Sequence, residues 1–282
     1  MIGTENWATQ VQKMWKRTRR LGGRLLLAGV FARATMLAAA GATEPETHQP
    51  VKCPGEYGGH LQGLDVDGQG FVYWSMTVAI VKTNADGELV CRVDAPSHQG
   101  DLTCREGRVY VAVNLGLFND PEERADSWVY VYDAADLSLL EKHPLGDVAY
   151  GAGGIAHDGE HFLVVGGLPN DRQVNHVYEY DEGFRLLAHH EIASGHTHLG
   201  IQTATFADGH WWFGCYGRPP QLLKVDRDFQ MAGRYTFDAS LGIAPLGGGR
   251  FLLGRGKCTD GTCQGWAVVG HSDAESGLRL DD

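Results

Sequence analysis

The sequence predicts an all-β protein, a five-bladed β-propeller built of four-stranded antiparallel blades. Three observations carry that expectation. A turn followed by an aromatic or β-branched strand recurs five times, at Asp67-Gly68, Glu106-Gly107, Asp158-Gly159, Asp208-Gly209 and Gly247-Gly248-Gly249. The segments ahead of these turns begin at positions 60, 98, 150, 198 and 240, spaced by 38, 52, 48 and 42 residues, which is the period of propeller blades. No long helical pattern follows residue 42, and 39 glycines against 10 prolines without a Gly-x-y period fit many tight turns.

The innermost strands are read at His60–Leu64, His98–Leu102, Tyr150–Ile155, His198–Gln202 and Ser240–Ala244. They are rich in glycine, as strands must be where neighbouring blades converge on an axis and leave little room for side chains. Second strands follow at Phe71–Trp74, Val109–Val113, Phe162–Val165, Trp211–Phe213 and Phe251–Leu253. Third strands run over Ile80–Thr83, Val129–Asp133, Val177–Asp181 and Leu222–Asp226, each ending near an acidic or glycine turn that leads to a fourth strand. For ring closure two sources of an outer strand stay open, Leu278–Leu280 at one end of the chain and the residues after Val51 at the other. A β-sandwich or an open meander also gives short strands and turns, but it accounts poorly for a five-fold recurrence.

Charge divides the chain. Seven of the 24 basic residues (Lys13, Lys16, Arg17, Arg19, Arg20, Arg24, Arg33) precede residue 43, where Glu5 is the one acid. A basic stretch to Arg20, an apolar stretch from Leu21 to Ala40 and the small-x-small run Ala40-Gly41-Ala42 read as an export signal over 1–42. Arg24 and Arg33 cut the apolar run into pieces far shorter than the roughly 20 residues of a spanning helix. The organisation expected is therefore a signal peptide (1–42), an N-terminal segment that is a candidate to close the ring (43–57) and the propeller (58–282), in a periplasmic or extracellular protein with no membrane span after cleavage. Cleavage after Ala42 leaves 17 basic and 34 acidic side chains, a net charge of −17, which disfavours nucleic acid and anionic lipid as partners. A mean hydropathy of −0.24 excludes a multi-span membrane protein, and a monomer is expected. Among six cysteines, Cys258 and Cys263 are the best disulfide pair, Cys91 with Cys104 is a second candidate, Cys215 reads as a buried thiol and Cys53 has no evident partner.

In a four-stranded blade the start of the innermost strand and the loop between the second and third strands share one rim, and that rim is the expected site. It gathers His60, His98, His196 and His198, a set suited to Zn²⁺, Fe²⁺ or Mn²⁺, with His196 and His198 on one face of an extended segment. The competing reading is that these imidazoles bond to backbone groups and fix blade packing. Asp101 and Tyr150 are the candidate acid or base. Gln62, Trp74, Asn114, Gln202, Tyr216, Arg218 and Arg255 are the candidate ligand contacts, the two arginines because guanidinium groups grip planar oxyanions. The loop Leu115–Ser127 reads as a lid or as a solvated acidic loop, while His157, His161, His189, His190 and His210 read as structural. There is no G-x-S-x-G elbow, phosphate-cradling glycine loop or H-E-x-x-H motif, and a glycosidase would need a second carboxylate facing Asp101.

In its Asp-Gly turns and blade length the sequence resembles exported propellers of the regucalcin, gluconolactonase and NHL-like kind over most of residues 58–282. His60-Leu61-Gln62-Gly63-Leu64 also resembles the Q-G-L opening of glutamine cyclotransferases, which implies a five-bladed exported fold. That family's acidic inner-strand residues are replaced here by Tyr150-Gly-Ala-Gly-Gly and His198-Leu-Gly-Ile-Gln, so its catalytic residues are not carried over. Two functions remain. One is a module binding a small anionic or carbohydrate-like molecule, a glycan or a protein partner at the channel mouth. The other is a metal-dependent hydrolase or lyase using the histidines of the same rim.

Overall fold

The computed structural model describes residues 49–281, in which all regular structure is β; segment 1–42, read as an export signal, lies outside them. Strand β1 (Val51–Lys52) comes first. Blade one is β2 (Leu61–Val66), β3 (Val72–Met76), β4 (Ala79–Thr83) and β5 (Leu89–Asp94). Blade two is β6 (Gln99–Arg105), β7 (Arg108–Asn114), β8 (Ser127–Asp133) and β9 (Leu139–Pro144). Blade three is β10 (Ala152–His157), β11 (Phe162–Gly166), β12 (Asn175–Tyr180) and β13 (Leu186–Ile192), and blade four is β14 (His198–Ala207), β15 (His210–Tyr216), β16 (Gln221–Val225) and β17 (Met231–Tyr235). Blade five holds β18 (Ile243–Gly247), β19 (Arg250–Thr259), β20 (Thr262–Asp273) and β21 (Gly277–Leu280). All pairings are antiparallel between consecutive strands, apart from the added β1, and the first strands of the blades neighbour one another in a closed ring.

The blades form because their strands bury both faces. Val72–Met76 and Phe162–Gly166 are buried at every position, so they read as unbroken apolar runs rather than alternating ones. The core accordingly lies in five seams between neighbouring blades. Trp74 and Leu252 meet in the seam of blades five and one, Tyr73 and Val111 in that of one and two, and Phe162 and Tyr110 in that of two and three. On the rim opposite the channel mouth, turn carboxylates satisfy backbone donors: Asp67 Oδ1 accepts from the amides of Gln69 and Phe71, and Asp181 and Asp226 act in the same way.

Both open sources of the closing strand are used. β21 pairs with Gly270–Asp273 of β20, and β1 pairs with its Trp266 and Ala267. The chain then continues along β20 through the Cys53 amide, which donates to the Gly265 carbonyl at 3.0 Å, and through a bridge from Tyr57 to Cys263. Cys258 and Cys263, opposed at the tip of the β19–β20 hairpin, form a disulfide. The second expected bridge is not formed. Cys91 sits on the outer strand of blade one and Cys104 on the inner strand of blade two, and both are free thiols. Cys215 is buried, which pushes its thiol up to about 12.

Candidate functional site

At the channel mouth the inner strands enclose a cup of about 230 Å³. Its wall is set by the period-two alternation of β2, which turns Gln62 inward beside His60, and by His98 at the start of the next inner strand. The Gln62 amide NH₂ donates to Nε2 of His98 at 2.7 Å and to Oγ1 of Thr77 at 3.1 Å, and it lies 3.4 Å from Nε2 of His60. Nδ1 of His60 donates to the Leu61 carbonyl at 2.8 Å, so its Nε2 is left as an acceptor. Two imidazole lone pairs and one amide thus converge. Burial and the neighbouring His60 hold His98 below the usual imidazole range, which keeps it neutral.

The floor is made by backbone. A methyl group on Gly100 would overlap the carbonyl oxygen of Gly153, so only glycine lets these two inner strands approach. Beneath it Asp101, fully buried, accepts the Ala204 amide through Oδ2 at 2.9 Å, while its Oδ1 is buried without a hydrogen-bond partner among the described residues. One carboxyl group therefore ties the inner strands of blades two and four across the axis. Burial raises its carboxyl well above the ordinary carboxylate range, with Asp65 adding to the shift.

The cup is lined by His60, Gln62, His98, Asn114, Gln202 and Tyr216, together with Phe118, Leu199, Gly116 and the backbone of Ala152 and Gly153. Among the described residues no Asp, Glu, Lys or Arg lines it. Asn114 is committed to its loop, accepting the Asp126 amide and donating to the Gly116 carbonyl. Gln202 spends its amide NH₂ on the Leu199 carbonyl at 2.7 Å, whereas the Tyr216 hydroxyl is buried without a partner among the described residues. Tyr216 meets His60 edge to face at 6.2 Å.

Other expected site residues lie elsewhere. Trp74 is wholly buried in the seam of blades five and one and donates to Oγ1 of Thr83, so it is core and not a stacking surface. Asp101 is beneath the floor and closed to solvent, a structural tie and not an acid or base facing ligand. Tyr150 points away from the cup toward His176 and Glu123. His196 is turned to the third blade, with Nδ1 donating to the Arg172 carbonyl, and His198 stands exposed outside the lining. The four histidines therefore do not converge, and among the described residues no group of three or more His, Cys, Asp or Glu is arranged to hold a metal ion. Arg255 folds over Phe237 and donates to the carbonyls of Asp238 and Gly254, while Arg218 is exposed; neither reaches the lining.

Phe118 and Leu199 are the wall residues that sequence reasoning missed. Phe118 comes from the rim loop Leu115–Ser127, which is fastened to blade three through Oδ1 of Asn119 accepting the Leu168 amide at 2.6 Å, and closed on itself by the Asp120–Arg124 ion pair. An aromatic side chain in a charged loop was the available signal. Leu199 takes φ of 60°, a conformation no sequence pattern announces. A larger cavity of about 330 Å³ lies on the opposite rim between blades three and four. Glu179 accepts there from His161 and His190, and Arg227 pairs with Asp158, so most of its charged groups are already engaged and it is the weaker candidate.

No family model and no curated protein matches the chain. Solved structures similar to it include a protein of unknown function from Bacteroides caccae, at 15% identity and a TM-score of 0.45, covering 68% of this chain and 69% of that one. The Dos1 propeller is 11% identical at a TM-score of 0.40, with 73% and 68% of the two chains covered. BamB from Moraxella catarrhalis is 14% identical at 0.38, with 78% and 62% covered.

Proposed function

We propose that this protein is a binding module whose channel-mouth cup takes one small, uncharged, carbohydrate-like molecule. The observation that carries the reading is the lining, which offers imidazoles and side-chain amides beside the apolar surfaces of Phe118, Leu199 and Tyr216, with no Asp, Glu, Lys or Arg among the described residues. Such a surface suits a molecule with a hydroxyl rim and an apolar face, since burying an unpaired ionic group in it would cost several kcal/mol. The anionic ligand that the arginines suggested is set aside, because Arg218 and Arg255 stand outside the cup. The proposal includes export, supported by the basic-then-apolar segment 1–42 and by a disulfide, which persists in oxidising compartments.

The test is thermal unfolding of the protein against neutral monosaccharides, polyols, sugar acids and phosphates. A neutral compound should raise the midpoint, and Phe118→Trp, which fills the cup, should abolish the rise. Stabilisation by the anions alone would refute the reading.

A further inference from the structure

On the outer part of blade three, strands β12 and β13 carry two imidazoles that face each other. Nδ1 of His176 and Nε2 of His189 are 3.0 Å apart. The ladder register places His176 opposite Glu191 and Tyr178 opposite His189, so these side chains share one face of the sheet. His189 is stacked on Tyr178 at 4.7 Å with the rings nearly parallel, and His176 packs against Tyr150 at 5.6 Å, so neighbouring rings fix both imidazoles. Most other histidines have a ring nitrogen satisfied by a carboxylate or a carbonyl, as His161 and His190 do by Glu179 and His196 does by Arg172. At the cup the Gln62 amide stands between His60 and His98. The His176–His189 pair has only a hydrogen between its nitrogens.

From this pair we infer a second site, a two-imidazole chelate for a tetragonal divalent metal ion, copper(II) above all, completed by water. Two nitrogens bound at about 2.0–2.1 Å and subtending a right angle lie about 2.9 Å apart, whereas a tetrahedral ion needs about 3.4 Å. The observed separation therefore matches a square-planar ion in distance, each ring turning by about 45° to aim its lone pair off the N···N line at the ion. Copper(II) also stands at the top of the divalent affinity order for nitrogen ligands. On binding, the proton shared between the two nitrogens moves through solvent to the far nitrogen of its ring. Both lone pairs then replace two waters on the ion, with no change of oxidation state and no net release of protons.

The experiment uses the full chain, purified without a histidine tag and stripped by chelator, titrated with Cu²⁺ under equilibrium dialysis and electron paramagnetic resonance. One tightly held ion with coupling to two nitrogens is expected. His176→Ala and His189→Ala should each weaken it about tenfold or more, while His210→Ala should not, and Zn²⁺ should compete poorly. Thermal unfolding of each variant checks that the fold is intact, and the nitrogen coupling in the unmutated protein gives a reading that needs no variant. Failure to retain copper, affinity unchanged in both histidine variants, or zinc competing on equal terms would overturn the inference.

Discussion

The clearest consequences at the scale of single residues come from the carboxylates beneath the cup. Asp101 accepts the Ala204 amide from across the axis, so Asp101→Ala leaves that buried donor unpaired and should cost about 1–3 kcal/mol by urea unfolding. Asp65 stitches blade one to blade two by accepting Oγ1 of Thr103 and the Cys104 amide, and its burial pushes the carboxyl up to about 6. A carboxyl raised above its unfolded value of 3.8 binds its proton more tightly in the folded state, so its contribution to stability is greatest in acid and is lost as pH rises from about 4 through 6. Unfolding free energy measured across that window should fall with pH from this source, and the slope should shrink in Asp65→Asn. His98 has the opposite sign. Its lowered value means that stability present above the ordinary imidazole range is lost as pH falls. Residues set by strand alternation were legible in the sequence, as His60, Gln62 and His98 at inner-strand starts. Trp74 was not, because a propeller strand buries both faces and an aromatic residue near the rim can be core.

Register irregularities at the scale of elements explain most of the remaining differences. The inner strands of blades one to four each shift register against their second strands close to the mouth, at Leu61/Gly63, Gln99/Leu102, Ala152/Gly154 and His198/Thr203. Each shift breaks the alternation that a period-two reading assumes. The one between Gln99 and Leu102 accompanies Asp101 turning into the axis rather than toward the mouth, and the one after His198 separates that residue from the lining. A second recurring irregularity sits in the hairpins before the fourth strands, where Gly87, Leu137, Phe184 and Phe229 all take positive φ. Leu137 and Phe184 bury their side chains in the seams, which offsets the strain. Two glycines distinguish crowding from turn geometry. Gly100→Ala, which overlaps the backbone of Gly153, should cost about 3 kcal/mol or more, whereas Gly107→Ala, open to solvent at φ of 77°, should cost about 1 kcal/mol. Chemical denaturation of the two variants checks the contrast, and equal losses would contradict a packed channel floor.

For the molecule as a whole, the ring is held by seams and by closure from both ends of the chain. The spacing of the five turns was enough to read five blades from the sequence, because each blade repeats one turn-and-strand unit. How the ring closes was not legible, since β1 and β21 share β20 as partner and neither alone is long enough to announce an outer strand. Removing residues 1–57 should expose the edge of β20 from Cys263 to Ala267, take Val51, Cys53 and Tyr57 out of the seam of blades five and one, and lower the unfolding midpoint while leaving the other seams intact. The function claimed for the whole rests on an uncharged cup at the mouth of this closed ring. Saturation-transfer NMR on an equimolar mixture of neutral monosaccharides and polyols with sugar acids and phosphates tests it most directly. The account predicts transfer to a neutral compound and its loss in both Phe118→Trp and Gln62→Ala. Transfer confined to the anions, or transfer to a neutral compound that persists in both variants, would contradict it.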